Sequence, residues 1–193
     1  MISNIPGIHN VQNVLAVCAM SVELGVNISV IKAALASFQG VNRRFSILEN
    51  FRGIKIFDDY GHHPAEIKAT IAAAREISKE KVIAIVQPHR YSRLKALFEE
   101  FTSAFNDADI VLITDVYAAG EKKIENINKE SLINSLISAG HKDVREYNAN
   151  HLKKIISSMC RKGDIVVFLG AGDITTKAKS FVKNYLMGTK NAS

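Results

Sequence analysis

Residues 82–93 read Val82-Ile83-Ala84-Ile85-Val86-Gln87-Pro88-His89-Arg90-Tyr91-Ser92-Arg93. An apolar, strand-like run gives way to a polar segment, and a helical pattern follows. An earlier stretch has the same layout. Ile54 to Phe57 is strand-like and apolar apart from Lys55, Asp58-Asp59-Tyr60-Gly61-His62-His63-Pro64 is polar, and a helical period begins at residue 65. In an α/β fold, a polar segment between a strand and the next helix lies at the strand's carboxyl end, where ligands bind. Packing alone asks for neither charge nor imidazole there. The two segments hold three of the six histidines, two arginines and two adjacent aspartates. That content suits an anionic or zwitterionic ligand.

Working outward, strand-like runs fall at 45–49, 54–58, 82–87, 109–114 and 164–169, with a weaker one at 144–147. Helix-like runs fall at 65–78, 93–105, 129–139, 149–161 and 174–187. Such alternation predicts an α/β fold, a mostly parallel twisted sheet of about six strands flanked by helices. Asn50-Phe51-Arg52-Gly53 has hairpin spacing, so one early strand is expected to run antiparallel. Residues 10–24 and 28–38 carry a helical period instead, which breaks at Gln39-Gly40-Val41-Asn42. A domain boundary is placed there, giving 1–42 and 43–193. Thirty residues bury too little core to stand alone, so the helical extension is expected to pack on a neighbour.

The 193 residues are 47% apolar and carry a net charge of +6 spread along the chain. No aromatic–basic stripe suggests a nucleic-acid face. No apolar run approaches the roughly 20 residues that span a bilayer, and the amino terminus lacks a signal-peptide pattern. Cys18 and Cys160 lie in apolar helical patterns and are expected to be free, buried thiols. These features point to a cytoplasmic protein without membrane or nucleic-acid partners.

Several residues are candidates for chemistry. Pro64 fits the first position of a helix. His62 and His63 would then sit near its N-terminal donors, where anions are favoured and a histidine pKa falls. Asp59 could accept bonds from a ribose diol. A zinc site built from His62, His63 and His89 is disfavoured, because no recognised zinc spacing accompanies them. Arg90 and Arg93 share a helical face and could clamp a carboxylate or phosphate. Arg43 and Arg44 read either as hinge charges or as ligands reaching a cleft. Asp115 and Glu121 read either as loop residues or as contacts. Gly170-Ala171-Gly172-Asp173 is a short glycine turn after an apolar strand. Asn10 and Asn13 could meet an adenine edge, though Asn10 also reads as an N-cap. No Gly-x-x-x-x-Gly-Lys-Ser/Thr occurs, so no P-loop is present.

In order, His9-Asn10-x-x-Asn13, Gly40-x-x-Arg43-Arg44-Phe45, Asp58 to Pro64, Gln87 to Arg93, Asp115-Val116-Tyr117-Ala118-Ala119-Gly120-Glu121 and Gly170 to Asp173 closely resemble the Mur ligases, specifically the branch acting on L-alanine. The resemblance runs from about residue 7 to 187. It implies the end of a central ATPase domain (1–42) and the whole of a Rossmann-like, amino-acid-binding C-terminal domain (43–193). It implies an ATP-dependent ligase joining L-alanine to UDP-N-acetylmuramate through an acyl phosphate, in peptidoglycan precursor synthesis. ATP, Mg2+ and both substrates belong to the complete enzyme. The UDP-binding domain, the P-loop and the central-domain magnesium ligands are not in this sequence, so the chain alone is expected to be inactive. By the same resemblance, Asn10, Asn13, Arg44 and Asp59 would serve ATP. Tyr60, His62, His63, His89, Arg90, Arg93, Gly172 and Asp173 would form the alanine pocket. One of His62, His63 and His89 would assist loss of the amine proton, and no resident metal is implied. The rival reading is a stand-alone nucleotide- or phosphate-binding module without catalysis.

Overall fold

The structure, a computed structural model, describes residues 7–38 and 41–187. Gln39 and Gly40, where the boundary reading begins, lie outside the described residues. Two helices come first, α1 (Ile8–Glu23) and α2 (Ile28–Ser37), the second capped by the Asn27 side chain. Then follow β1 (Ser46–Phe51), β2 (Ile54–Asp59), α3 (Pro64–Ile77), β3 (Val82–Val86), α4 (Tyr91–Ala96), α5 (Phe98–Ser103) and β4 (Ile110–Ile113). The chain continues through α6 (Lys129–Ser138), β5 (Val144–Glu146), α7 (Ala149–Ser158), β6 (Ile165–Leu169) and α8 (Ile174–Phe181), which runs on into a π-helical turn, Val182–Met187.

The six strands form one sheet in the order β1-β2-β6-β3-β4-β5. Only β1 is antiparallel. It is joined to β2 through Arg52 and Gly53, both at positive φ, as a tight hairpin requires. The alternation of side chains along each strand divides the core. Val82, Ala84, Val86, Val167 and Leu169 face one side with Ile67, Ile71, Leu94, Phe101, Phe105 and Leu132. Ile83, Ile85, Val166 and Phe168 face the other with Leu152, Ile155, Ile174 and Phe181. Helices α3 to α6 therefore cover one face, and α7 and α8 the other.

Two readings need correction. The helix expected over 93–105 is two short helices, interrupted at Leu97 (φ −119°, ψ 28°). Both halves still turn Leu94 and Phe101 into the core, so apolar spacing alone could not reveal the break. Neither cysteine is in a disulfide, both are only partly buried, and Cys160 lies just beyond α7. Burial, helped by the Asp164 charge, pushes the Cys160 thiol up to about 12, which makes it unreactive.

The helical extension differs from the sheet domain. Among the described residues of α1, none is buried, while Ile8, Val11, Leu15, Val17, Met20 and Val22 are exposed. Within β6, by contrast, all five residues are buried. Phe168→Ala should cost about 3–5 kcal/mol in urea unfolding, through lost burial and a residual cavity. Ile47→Ala, at an exposed position, should stay within about 0.5 kcal/mol. A cost below about 1 kcal/mol at Phe168 would contradict this description of the core.

Candidate functional site

The strand order creates the site. β6 lies between β2 and β3 and pairs in parallel with both. The loops leaving β2 and β3 pass to one face of the sheet, whereas the loop leaving β6 passes to the other. Loops that diverge in this way leave a crevice at the strands' carboxyl ends. The ladder persists past the strands: Gln87 N–H donates to Leu169 O (2.9 Å), Gly170 N–H to Asp59 O (3.0 Å) and Arg90 N–H to Tyr117 O (2.8 Å).

A row of rings fills the crevice. Tyr60 meets His62 edge-on with centroids 5.5 Å apart, His62 lies 5.3 Å from His89, and His89 stacks on Tyr117 at 5.4 Å. Arg93 Nη1 donates to the His89 carbonyl (3.1 Å) and lies 3.2 Å from His89 Nδ1. Arg90 is half exposed, 3.7 Å from the Glu121 carboxylate, which also accepts from Ser92 N–H and Oγ–H. Arg90 has φ 70° and ψ 133°, a conformation that costs a non-glycine residue energy and that clusters at functional sites.

The glycine turn forms the floor. A Cβ on Gly172 would lie 2.4 Å from Gln87 Oε1 and 2.5 Å from Tyr117 Cγ, so only glycine fits beneath that ring. Gln87 bridges onward: Nε2–H donates to Asp173 Oδ1 (2.5 Å), and Oε1 accepts from Ile174 N–H (3.2 Å). Asp173 also takes two bonds from Lys177. Burial works against its charge, but the Gln87 and Lys177 bonds prevail and hold its carboxyl below the usual range.

Arg43 ties the approach together. Its Nη2 donates to Gly170 O (2.8 Å), its guanidinium lies 4.7 Å from the Tyr60 ring centre, and Tyr60 N–H donates to Arg43 O (2.7 Å). Its Nε is buried without a hydrogen-bond partner, 3.8 Å from Asp58. Burial above all raises the Asp58 pKa, while a bond from Thr175 and the Arg43 charge oppose the shift. Asp59 is spent on structure. Its two oxygens accept from Phe45 N–H, Gly61 N–H and the Thr70 hydroxyl.

A second recess adjoins the first. A cleft of about 810 Å³ opens between α1, α2 and α3. Asn10, Asn13, Arg44 and Asp59 all border it, with apolar walls from Val14, Val17, Ile31 and Leu35. The four residues assigned by resemblance to ATP thus share one cleft. Tyr60, His62, His89, Arg93 and Gly172 gather along the ring row at the crevice beside β6, with Arg90 and Asp173 at its edge. His63 does not join them. It is exposed, and its Nδ1 accepts from Ala65 N–H (3.3 Å) as the N-cap of α3.

Sequence reasoning did not single out Tyr117, Gln87 or Glu66. The first two lay inside quoted motifs. The third sits three residues after His63, at capping-box spacing. Among the described residues, no group of three or more His, Cys, Asp or Glu side chains is placed to hold a metal ion.

The family described as "Mur ligase, glutamate ligase domain" matches residues 43–172. The chain belongs to the Mur ligase family. The UDP-N-acetylmuramate–L-alanine ligase of Brucella anthropi is 50% identical over 179 residues, 92% of this chain and 38% of that protein. The corresponding ligase of Bartonella henselae is 54% identical over 170 residues, 88% of this chain and 36% of that protein. The solved UDP-N-acetylmuramate-alanine ligase of Thermotoga maritima is 32% identical with a TM-score of 0.76, covering 96% of this chain and 40% of that one. The MurF ligase of T. maritima, solved in complex with ADP, shares the fold at 21% identity, with a TM-score of 0.66 and cover of 95% and 40%. The chain therefore spans well under half the length of these Mur ligases.

His89 is held below the ordinary histidine range, first by burial and then by the charges of His62, Arg93 and Arg90, with Glu121 opposing. Its neutral form is therefore favoured in the fold. The stability it contributes is complete above the ordinary value of about 6.5 and is lost as pH falls below it. His89→Gln should lose less stability than the wild type between pH 7 and about pH 5.5 in urea titrations. Equal losses would contradict this. Gly172→Ala should cost about 1–3 kcal/mol and remove the ring-current shift of Tyr117 on His89, and an unchanged His89 signal would count against the packing described.

Proposed function

We propose that this chain supplies the amino-acid-binding recess and the adenosine-facing wall of an ATP-dependent ligase that joins L-alanine to UDP-N-acetylmuramate in peptidoglycan precursor synthesis. The observation that carries the reading is the meeting of Arg93, His89, His62 and Tyr60 at the crevice beside β6, next to a cleft bordered by Asn10, Asn13 and Arg44.

L-alanine is a small zwitterion. Arg90 and Arg93 offer guanidinium groups for its carboxylate. The partner contacts of Arg93 constrain the histidines. A guanidinium only donates, so His89 Nδ1 accepts from it and the proton of the neutral ring resides on Nε2. His62 Nδ1 faces the Tyr60 carbonyl at 3.0 Å, which only accepts, so its neutral ring keeps the lone pair on Nε2. His89 thus acts as a donor, and His62 as the acceptor for an amine proton. His63, engaged as a helix cap, has no part in this.

The cleft suits the base and sugar of ATP: its walls are apolar and two amides stand at its border. Arg44 is the one cation among its lining residues. Most phosphate charge would therefore be met by groups outside this sequence, as would Mg2+. ATP supplies the phosphoryl group that activates the carboxylate, and this chain positions the nucleophile. The division into 1–42, the end of an ATPase domain, and 43–193, the amino-acid domain, is supported by the family match beginning at residue 43 and by the exposed apolar face of α1. We place the protein in the cytoplasm, where ATP is available, and no described helix is long and apolar enough to cross a membrane. The stand-alone module is not favoured, since the relatives are named as ligases.

The test is a chimera in which this chain replaces the matching part of the Bartonella henselae ligase. It should release phosphate in an L-alanine-dependent manner, whereas the chain alone should not. Arg93→Ala in the chimera should lower kcat/KM for L-alanine roughly 10- to 150-fold, the loss of about 1.5–3 kcal/mol expected for a hydrogen bond to a charged group. Unchanged alanine kinetics in Arg93→Ala would contradict the proposed pocket.

A further inference from the structure

Glu66 stands between the two recesses. It lies in the first turn of α3, and its carboxylate reaches back over the turn at Gly61 to Pro64. Oε2 accepts from His62 N–H (3.0 Å) and His63 N–H (3.1 Å), and lies 3.7 Å from His62 Nδ1. Oε1 lies 3.9 Å from Arg44 Nη1, and Glu66 itself lines the cleft. One carboxylate therefore touches a ring of the amino-acid cluster and a cation of the nucleotide cleft. A capping box accounts for a bond to a backbone N–H. It does not account for an imidazole and a guanidinium converging on the same group. Burial disfavours the Glu66 charge, but the bonds from His62 and His63, with the charges of His62 and Arg44, hold its carboxyl below the usual range.

Glu66 is the carboxylate that contacts the His62 ring among the described ion pairs, and Glu121 stands farther off, beside Arg90. Tyr60 lies on its own turn, His89 is 5.3 Å away, and Arg93 and Arg90 stand behind His89. Arg43 and Arg44 lie over Tyr60 from the segment before β1. Asp59 is committed to Phe45, Gly61 and Thr70. A proton placed on His62 would face cations, with Glu66 the anion beside it.

We propose that Glu66 is a positioning residue coupling the two recesses: its carboxylate holds the His62–His63 turn by the two N–H groups, so that His62 Nδ1 stays on the Tyr60 carbonyl and Nε2 can take the proton of the incoming amine, and it balances the charge His62 then carries. The proposal rests on the amino-acid reading of the cluster. The alanine ammonium gives one proton to His62 Nε2, and the freed lone pair attacks the activated carboxyl carbon. The C–N bond forms, the C–O bond to phosphate breaks with its electron pair leaving on phosphate, and the second amine proton passes to solvent. Through Arg44 the same carboxylate registers what occupies the cleft.

The test is L-alanine kinetics in the chimera described above, compared among wild type, Glu66→Gln and Glu66→Asp. Glu66→Gln keeps an oxygen for the two N–H groups and removes the charge. It should lower kcat about tenfold or more with KM for L-alanine little changed, and with Tm within about 2 °C of wild type. Glu66→Asp, which keeps the charge, should retain more of the kcat than Glu66→Gln. An unchanged kcat in Glu66→Gln, or equal losses in both variants, would overturn the coupling and leave a helix cap. Failure of L-alanine to shift any His62, His89 or Arg93 NMR signal in the wild-type chain overturns instead the amino-acid reading on which the catalytic part rests. A His62 ring protonated at Nε2 in long-range 1H–15N spectra overturns the assigned orientation.

Discussion

β6 is inserted between β2 and β3, bonded to each by a parallel ladder, and its loop leaves toward the opposite face from theirs. Without that insertion, the polar segments after β2 and β3 would be neighbours on one face, with no crevice between them. With it, the Gly170 to Asp173 turn becomes a floor that the two segments flank. Hydrophobic burial holds the arrangement: β3 and β6 are buried along their whole length, so moving either would expose apolar surface on both faces. The chemistry above the sheet inherits its precision from this core.

The crevice is rich in cations, and its anions are distributed to answer them. Glu121 lies beside Arg90, Asp58 beside Arg43, and Glu66 beside Arg44 and His62. Arg93 instead pairs with a neutral ring and a carbonyl. It is therefore the guanidinium of the row without a carboxylate beside it in the described contacts. A zwitterion's carboxylate would supply what Arg93 lacks, and its ammonium would meet the acceptor nitrogen of His62. In the proposed reading, recognition of a small amino acid would follow from this asymmetry more than from the number of charges.

Much of the fold was legible in the sequence, because burial imposes period and strand on the same residues. The run Val82 to Val86 could hardly be other than a central strand, and the Asn50 to Gly53 spacing anticipated the antiparallel hairpin. What escaped was set by tertiary context. The break at Leu97 leaves the apolar spacing intact, so periodicity passes over it. The role of His63 as a cap, and not a member of the ring row, depends on which way one turn resolves two adjacent imidazoles. Tyr117 sat in a segment whose charged ends drew attention, yet its ring is what makes Gly172 obligatory and lies against His89. Glu66 looked like an ordinary first-turn acid, and its reach to both recesses appears only when Arg44 and His62 are brought beside it.

The central claim is that one chain carries two adjoining but separate recesses, one for a small amino acid and one for a nucleoside. The direct measurement is a backbone and side-chain shift map of the chain with L-alanine and, separately, with AMP. The account predicts that L-alanine moves signals of residues 60–62, 89–93 and 170–173. It predicts that AMP moves those of Asn10, Asn13 and Arg44. Both ligands moving the same set, or L-alanine leaving the histidine and arginine signals untouched, would contradict it.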